Sequence, residues 1–85
     1  MENTKIVDLV KKVSDNRDEI AFSEIFDFIA PKINAYYLKN NLSSDQAEEL
    51  TQEVLSTIWV KAKLFKPEKS KFTTWCFTIA RNKKI

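Results

Sequence analysis

The run Ser43-Ser44-Asp45-Gln46-Ala47-Glu48-Glu49-Leu50-Thr51-Gln52-Glu53-Val54-Leu55-Ser56-Thr57-Ile58-Trp59-Val60-Lys61-Ala62 decides the fold. Ala47, Leu50, Val54, Ile58 and Ala62 recur at three- and four-residue spacing, which is one face of a helix, and Leu55 and Trp59 widen that stripe. Glu49, Gln52, Glu53, Ser56 and Val60 fall on the opposite side. At its start, Ser43 with Gln46 three residues on is a capping box, a reciprocal exchange that satisfies two amides left without partners in the first turn. At the other end, Pro67 is expected to stop the helix, since proline lacks an amide donor and crowds the preceding turn.

The same period extends outward in both directions. Towards the N-terminus, Phe22, Ile25, Phe26, Ile29, Ile33 and Tyr37 mark a helix from about Ile20 to Leu38, with Pro31 expected to kink or break it. Ile6, Leu9, Val10 and Val13 mark a shorter helix before it, stopped near Ser14-Asp15-Asn16, whose side chains compete for backbone hydrogen bonds. Towards the C-terminus, Phe65-Lys66-Pro67-Glu68-Lys69-Ser70 reads as a basic loop. A last helix is expected to begin around residues 70–73 and to continue to the last residue. It carries Phe72, Trp75, Cys76, Ile79 and Ala80 on its buried arc, with Thr74, Phe77, Thr78, Arg81 and Lys84 on the other side. The expectation is an all-α fold, a small bundle of about four helices, forming one domain over residues 1–85. With no glycine cap and no closing turn after the last helix, Ile85 reads as the cut end of a longer protein.

Composition removes whole classes of chemistry. The 85 residues include no Gly, no His, two Pro and one Cys. Zinc fingers, Cys–His nucleophile pairs, Ser-His-Asp triads and disulfide frameworks all need residues this chain lacks. Phosphate-cradling loops of the Walker or dinucleotide-binding kind need glycine where backbone meets phosphate. No enzyme and no cofactor is expected. The start Met1-Glu2-Asn3-Thr4-Lys5 leads into no apolar run of signal-peptide type, and no stretch approaches a membrane span of about 20 residues. A soluble, cytoplasmic domain is the expectation.

Charge is distributed unevenly. Residues 1–60 hold six Lys and Arg against eleven Asp and Glu, whereas residues 61–85 hold eight against Glu68 alone. A charge run is ordinarily a solvated face, but two blocks of opposite sign in so short a chain point to two partners, one basic and one polyanionic. Lys66, Lys69 and Lys71 in the loop, followed by Arg81, Lys83 and Lys84, are spaced to follow a phosphate backbone. Phe22, Phe26, Trp59, Phe72 and Trp75 sit on apolar arcs and are expected in the core, with Cys76 packed as a small hydrophobe. Phe77 lies among threonines and cations, where an aromatic ring could stack on an unpaired base.

Taken in order, four segments resemble region two of the bacterial RNA polymerase sigma factors. They are Ala21-Phe22-Ser23-Glu24-Ile25-Phe26 with Ala30-Pro31-Lys32-Ile33, Ala47-Glu48-Glu49-Leu50-Thr51-Gln52-Glu53-Val54 with Ile58-Trp59, Phe65 through Trp75, and Phe77-Thr78-Ile79-Ala80-Arg81-Asn82. The resemblance runs over about residues 20–85 without gaps and is strongest to the extracytoplasmic-function group.

It implies that the third helix docks on the clamp coiled coil of the largest subunit of core RNA polymerase, through Glu49, Gln52, Glu53 and Ser56. It also implies that the following loop and helix open the promoter minus-ten element and hold its non-template strand. In that arrangement Lys66, Lys69 and Lys71 belong to the base-capturing loop, and Thr74, Phe77, Thr78, Arg81, Asn82 and Lys84 line the DNA face. Asn82 matches the position that reads the upstream edge of the element; an amide there can bond adenine bidentately. An anti-sigma factor is a further partner of such proteins. The helix-turn-helix domain that reads the minus-thirty-five element is absent from these 85 residues.

The chain departs from the pattern at Lys66 and Ser70, where Asp and Gly are usual, and at Thr73, where Arg is common. Thr78-Ile79 stand in place of the paired Trp of housekeeping sigma factors, which implies weaker strand opening and stricter promoter demands. Two other readings fit the residues. One is a sigma-like adaptor or regulator acting by protein contact alone, in which Phe77 and Asn82 would be replaceable. The other is a generic basic helical DNA binder, whose affinity would survive loss of Glu49, Gln52 and Glu53.

Overall fold

The computed structural model describes residues 3–83. It holds four α-helices, α1 (Asn3–Asn16), α2 (Glu19–Lys39), α3 (Ser44–Lys61) and α4 (Phe72–Asn82), with a single 3-10 turn over Ala62–Leu64. The fold is all-α, as the periodicity implies, and no strand occurs among the described residues. Local chemistry sets the helix ends. The Asp18 carboxylate accepts from the Ala21 amide at 3.0 Å and starts α2. Ser43 and Gln46 exchange bonds of 3.1 and 3.2 Å, so the expected capping box is present at the head of α3.

A chain without glycine must still end its helices. Asn41 does so at φ 70°, with Leu42 N–H donating to Tyr37 C=O and Asn41 N–H to Leu38 C=O, the paired bonds of a Schellman ending. Arg17 does so at φ 52°, its N–H donating to Val13 C=O at 3.0 Å.

The two long helices run antiparallel, Phe22 near the start of α2 facing Trp59 near the end of α3 at 5.1 Å between rings. Ile25, Ile29 and Ile33 of α2 meet Leu50, Val54 and Ile58 of α3 in the core, and Ile6, Leu9, Val10 and Val13 of α1 cover one side. From α4, Phe72, Cys76 and Ala80 close it. Tyr37 is fully buried, and its hydroxyl donates to the Ala80 carbonyl at 2.6 Å, tying the end of α2 to the last turn of α4. Burial pushes the Tyr37 phenol up to about 12, with the neighbouring Tyr36 and Glu53 adding to the effect. Burial likewise pushes the Cys76 thiol up.

Several expectations are corrected. Pro31 does not break α2, which runs unbroken through it. Pro31 and Asp27 both face solvent, so the carbonyl that loses its donor remains open to hydration while Ala30 and Ile33 anchor the other side. Pro67 does not end α3. The helix stops at Lys61 and tightens through the 3-10 turn, because Phe65 must leave the helical path to insert against Phe72 at 5.5 Å and Trp75 at 5.4 Å. Phe65 therefore begins the expected loop but is itself buried in the core. Phe26 is not core: it is 39% exposed, and Phe22, Trp59 and Trp75 are half-buried. Finally, α4 ends at Asn82 with Lys83 in a turn; the expected continuation through Lys84 and Ile85 lies outside the described residues.

Candidate functional site

Three surfaces meet along α3. Glu49, Gln52, Glu53 and Ser56, separated by three, one and three residues, are all exposed on one side, as their register implies. With Thr57 they line a shallow depression of about 500 Å³, and the chain end contributes Lys83 to its rim. Lys83 is half-buried there, beside the acidic side chains. The two charged blocks, separate in sequence, become neighbours because α4 packs back along α3.

On the other side of the Gln52–Ser56 ridge lies an apolar groove of about 700 Å³. Its walls are Phe22 and Phe26 from α2 and Leu55, Trp59 and Val60 from α3, with Glu19 at its edge. The aromatic rings stand in a row, Phe26 edge-on to Phe22 at 6.5 Å and Phe22 edge-on to Trp59 at 5.1 Å. Val60, 63% exposed, is presented openly beside them. Gln52 lines the groove, the acidic depression and a third hollow that continues past Phe26 to Pro31 and Asn34. Grooves that are mainly apolar with a few polar groups at the edge are suited to hold a partner helix or a small ligand.

Periodicity alone assigns these aromatics to the core, and so misses the groove. The signal lies in α2 itself. Ile25, Ile29 and Ile33 already supply a complete buried stripe, so Phe22 and Phe26 form a second one that is only partly covered, Phe22 by Trp59 and Phe26 left 39% exposed. At the end of the row, Arg17 reaches across from the α1–α2 junction. Its guanidinium donates to the Trp59 carbonyl and, at 3.4 Å, to the Val60 carbonyl, and lies 5.2 Å from the Trp59 ring centre.

The basic surface is formed by the segment after α3. Lys66, Lys69 and Lys71 are all exposed on a loop closed by Lys69 N–H and Ser70 N–H donating to Lys66 C=O at 2.9 and 3.3 Å. The Phe65–Phe72–Trp75 cluster holds both ends of that loop on the core, so the lysines project from a fixed turn. Along α4, Thr74, Thr78, Arg81 and Asn82 are exposed on one side. The Thr78 hydroxyl donates to the Thr74 carbonyl at 3.0 Å.

Phe77 is placed differently from the threonines beside it. Its ring packs edge-on against Tyr36 at 5.6 Å and is half-buried, because the end of α2 extends over that part of α4. Lys84 lies outside the described residues. Among the described residues no group of three or more His, Cys, Asp or Glu is placed to hold a metal ion, and no helix is long and apolar enough to cross a membrane.

Comparison with known proteins gives three results. The family model for sigma-70 region 2 matches residues 31–85. The chain is 44% identical over 84 residues to an extracytoplasmic-function RNA polymerase sigma factor, RpoE of Cereibacter sphaeroides, covering 99% of this chain and 46% of that protein. Its fold matches Rhodobacter sphaeroides SigE, solved in complex with the anti-sigma ChrR, with a TM-score of 0.94 and 44% identity over 100% of this chain and 53% of the other. The chain thus spans about half the length of the relatives it matches.

Proposed function

The chain belongs to the sigma-70 region 2 family, of the extracytoplasmic-function type, and on that premise we propose that it docks on core RNA polymerase and opens the promoter minus-ten element. Transcription initiation is the role of such proteins; the docking and opening steps are assigned here to particular surfaces. One observation carries the docking assignment: the exposed Gln52–Ser56 ridge has acidic side chains on one flank and an unfilled aromatic groove on the other. A coiled coil of the polymerase clamp with basic and apolar side chains would satisfy both flanks together, the groove supplying affinity and the carboxylates orientation.

The basic loop and α4 then take the non-template strand. Lys66, Lys69 and Lys71 hold phosphates, Thr74, Thr78 and Arg81 extend that track, and Asn82 reads a base edge. Lys84 continues the same track in sequence. Phe77, packed against Tyr36 and still partly exposed, lies beside this track and is the ring that would stack on an unpaired base. Opening the duplex costs a few kcal/mol per base, so a preformed turn that captures an extruded base selects which promoters melt. By likeness to the SigE–ChrR complex, an anti-sigma factor is a further partner, one that would compete for these surfaces.

The test is a binding titration against the isolated clamp coiled coil, wild type beside the Gln52→Ala, Glu53→Lys double variant. Saturable binding by the wild type, lost in a variant whose circular dichroism is unchanged, is the expected result. Absence of wild-type binding would remove the docking assignment and favour a basic helical DNA binder. Clamp binding without affinity for single strands would favour an adaptor.

A further inference from the structure

Arg17 occupies a backbone position that proteins usually give to glycine. It follows α1 in the left-handed region at φ 52°, where a side chain is disfavoured, and it is neither the Gly nor the Asn common there. The equivalent position after α2 follows the rule with Asn41. An unfavourable backbone choice persists where the side chain makes up for it. Here the side chain spans more than 40 residues of sequence to the end of α3. It donates to the carbonyls of Trp59 and Val60, which lie in the last turn where helical carbonyls lose their partners. A cation at a helix C-terminus also opposes the negative end of the helix dipole. The same guanidinium lies 5.2 Å from the centre of the Trp59 ring, within the range of a cation–π contact.

Trp59 is the end wall of the aromatic groove, its ring seated against Phe22. One side chain therefore holds both the backbone and the ring of the residue that ends the groove. We infer that Arg17 is a positioning residue for polymerase docking: it presets the Trp59 ring so that the groove is formed before the partner arrives. The inference rests on the docking reading above and deepens it. Because the contact comes from the α1–α2 junction, the first helix is coupled to the docking surface without itself lining the groove. Preorganisation of this kind lowers the ordering that binding would otherwise require.

Arg17→Gly separates this role from folding, since glycine suits the left-handed backbone while the side chain that reaches Trp59 is removed. The measurement uses the 85-residue chain with Trp75→Phe, leaving Trp59 as its one indole, titrated with the clamp coiled coil and with single-stranded minus-ten DNA. The expected result is a melting temperature close to that of the parent and unchanged DNA affinity. Acrylamide quenching of Trp59 should be stronger, and clamp affinity weaker by roughly five- to tenfold. Arg17→Lys keeps a cation near the ring but cannot fork onto two carbonyls, so it should fall between; it carries the comparison if the glycine variant does not fold. Parental clamp affinity and parental quenching in these variants would overturn the positioning role while leaving docking intact. A parent chain that does not bind the coiled coil would overturn docking, and this role with it.

Discussion

Tyr37 shows what a single residue does here. Its ring sits in the core, yet its hydroxyl serves the Ala80 carbonyl in the last turn of the helix that carries Arg81 and Asn82. Removing the hydroxyl with Tyr37→Phe should cost about 1 kcal/mol, the net value of a buried hydrogen bond whose acceptor retains some alternative. The Lys83 amide, at 3.3 Å from the same carbonyl, is that alternative.

The phenol also ties stability to pH. Its proton is held more tightly in the folded state, with a pKa of about 12 against an ordinary 10. Between those values the folded state binds more protons than the unfolded one, so its contribution is complete below pH 10 and declines as pH rises towards 12. Urea denaturation from about pH 9 to about pH 11.5 should therefore show a steeper alkaline loss in the parent than in Tyr37→Phe. Equal slopes would mean that the phenol titrates as if exposed.

Among the elements, α2 carries the most instructive conflict between local rule and observed structure. Proline in a helix interior is disfavoured by about 3 kcal/mol relative to alanine, yet α2 continues through Pro31 because its buried face is complete without that residue's amide. Pro31→Ala should accordingly stabilise the domain, by about 1–3 kcal/mol after allowing for the freer unfolded chain. A loss of stability instead would mean that proline shapes the helix for packing.

The capping box and the apolar stripe of α3 are legible residue by residue, since both depend only on neighbours within one turn. The end of α3 is not. Its position depends on Phe65 reaching Phe72 and Trp75, and nothing local distinguishes an aromatic that leaves a helix to fill a core from one that stays in it.

For the molecule as a whole, the proposed docking and strand-holding roles rest on the arrangement of charge and apolar surface. The basic loop is anchored at both ends, so its three lysines should bind phosphates of single-stranded DNA independently of one another. Replacing Lys66, Lys69 and Lys71 together with alanine should lower the slope of log affinity against log salt by about 2, close to 0.7 for each phosphate no longer neutralised on a single strand. An unchanged slope would place the strand elsewhere. The Asn82→Ala change should instead alter sequence preference with little effect on that slope.

The four helices, their register and most of their buried residues follow from a 3.6-residue period and short-range capping, both local properties that a linear text records in full. The exposed acidic row on α3 follows for the same reason, because residues three and four apart must share a side. What a linear text leaves open is which of two apolar stripes on one helix finds a partner. Packing α2 against α3 buried Ile25, Ile29 and Ile33 and left Phe22 and Phe26 as one wall of a groove. Folding α4 back along α3 brought Lys83 to the same depression as Glu49 and Glu53 and set Phe77 against Tyr36. The long reach of Arg17 to Trp59 belongs to the same class. Each joins residues distant in sequence, and its energy exists only once the helices have met.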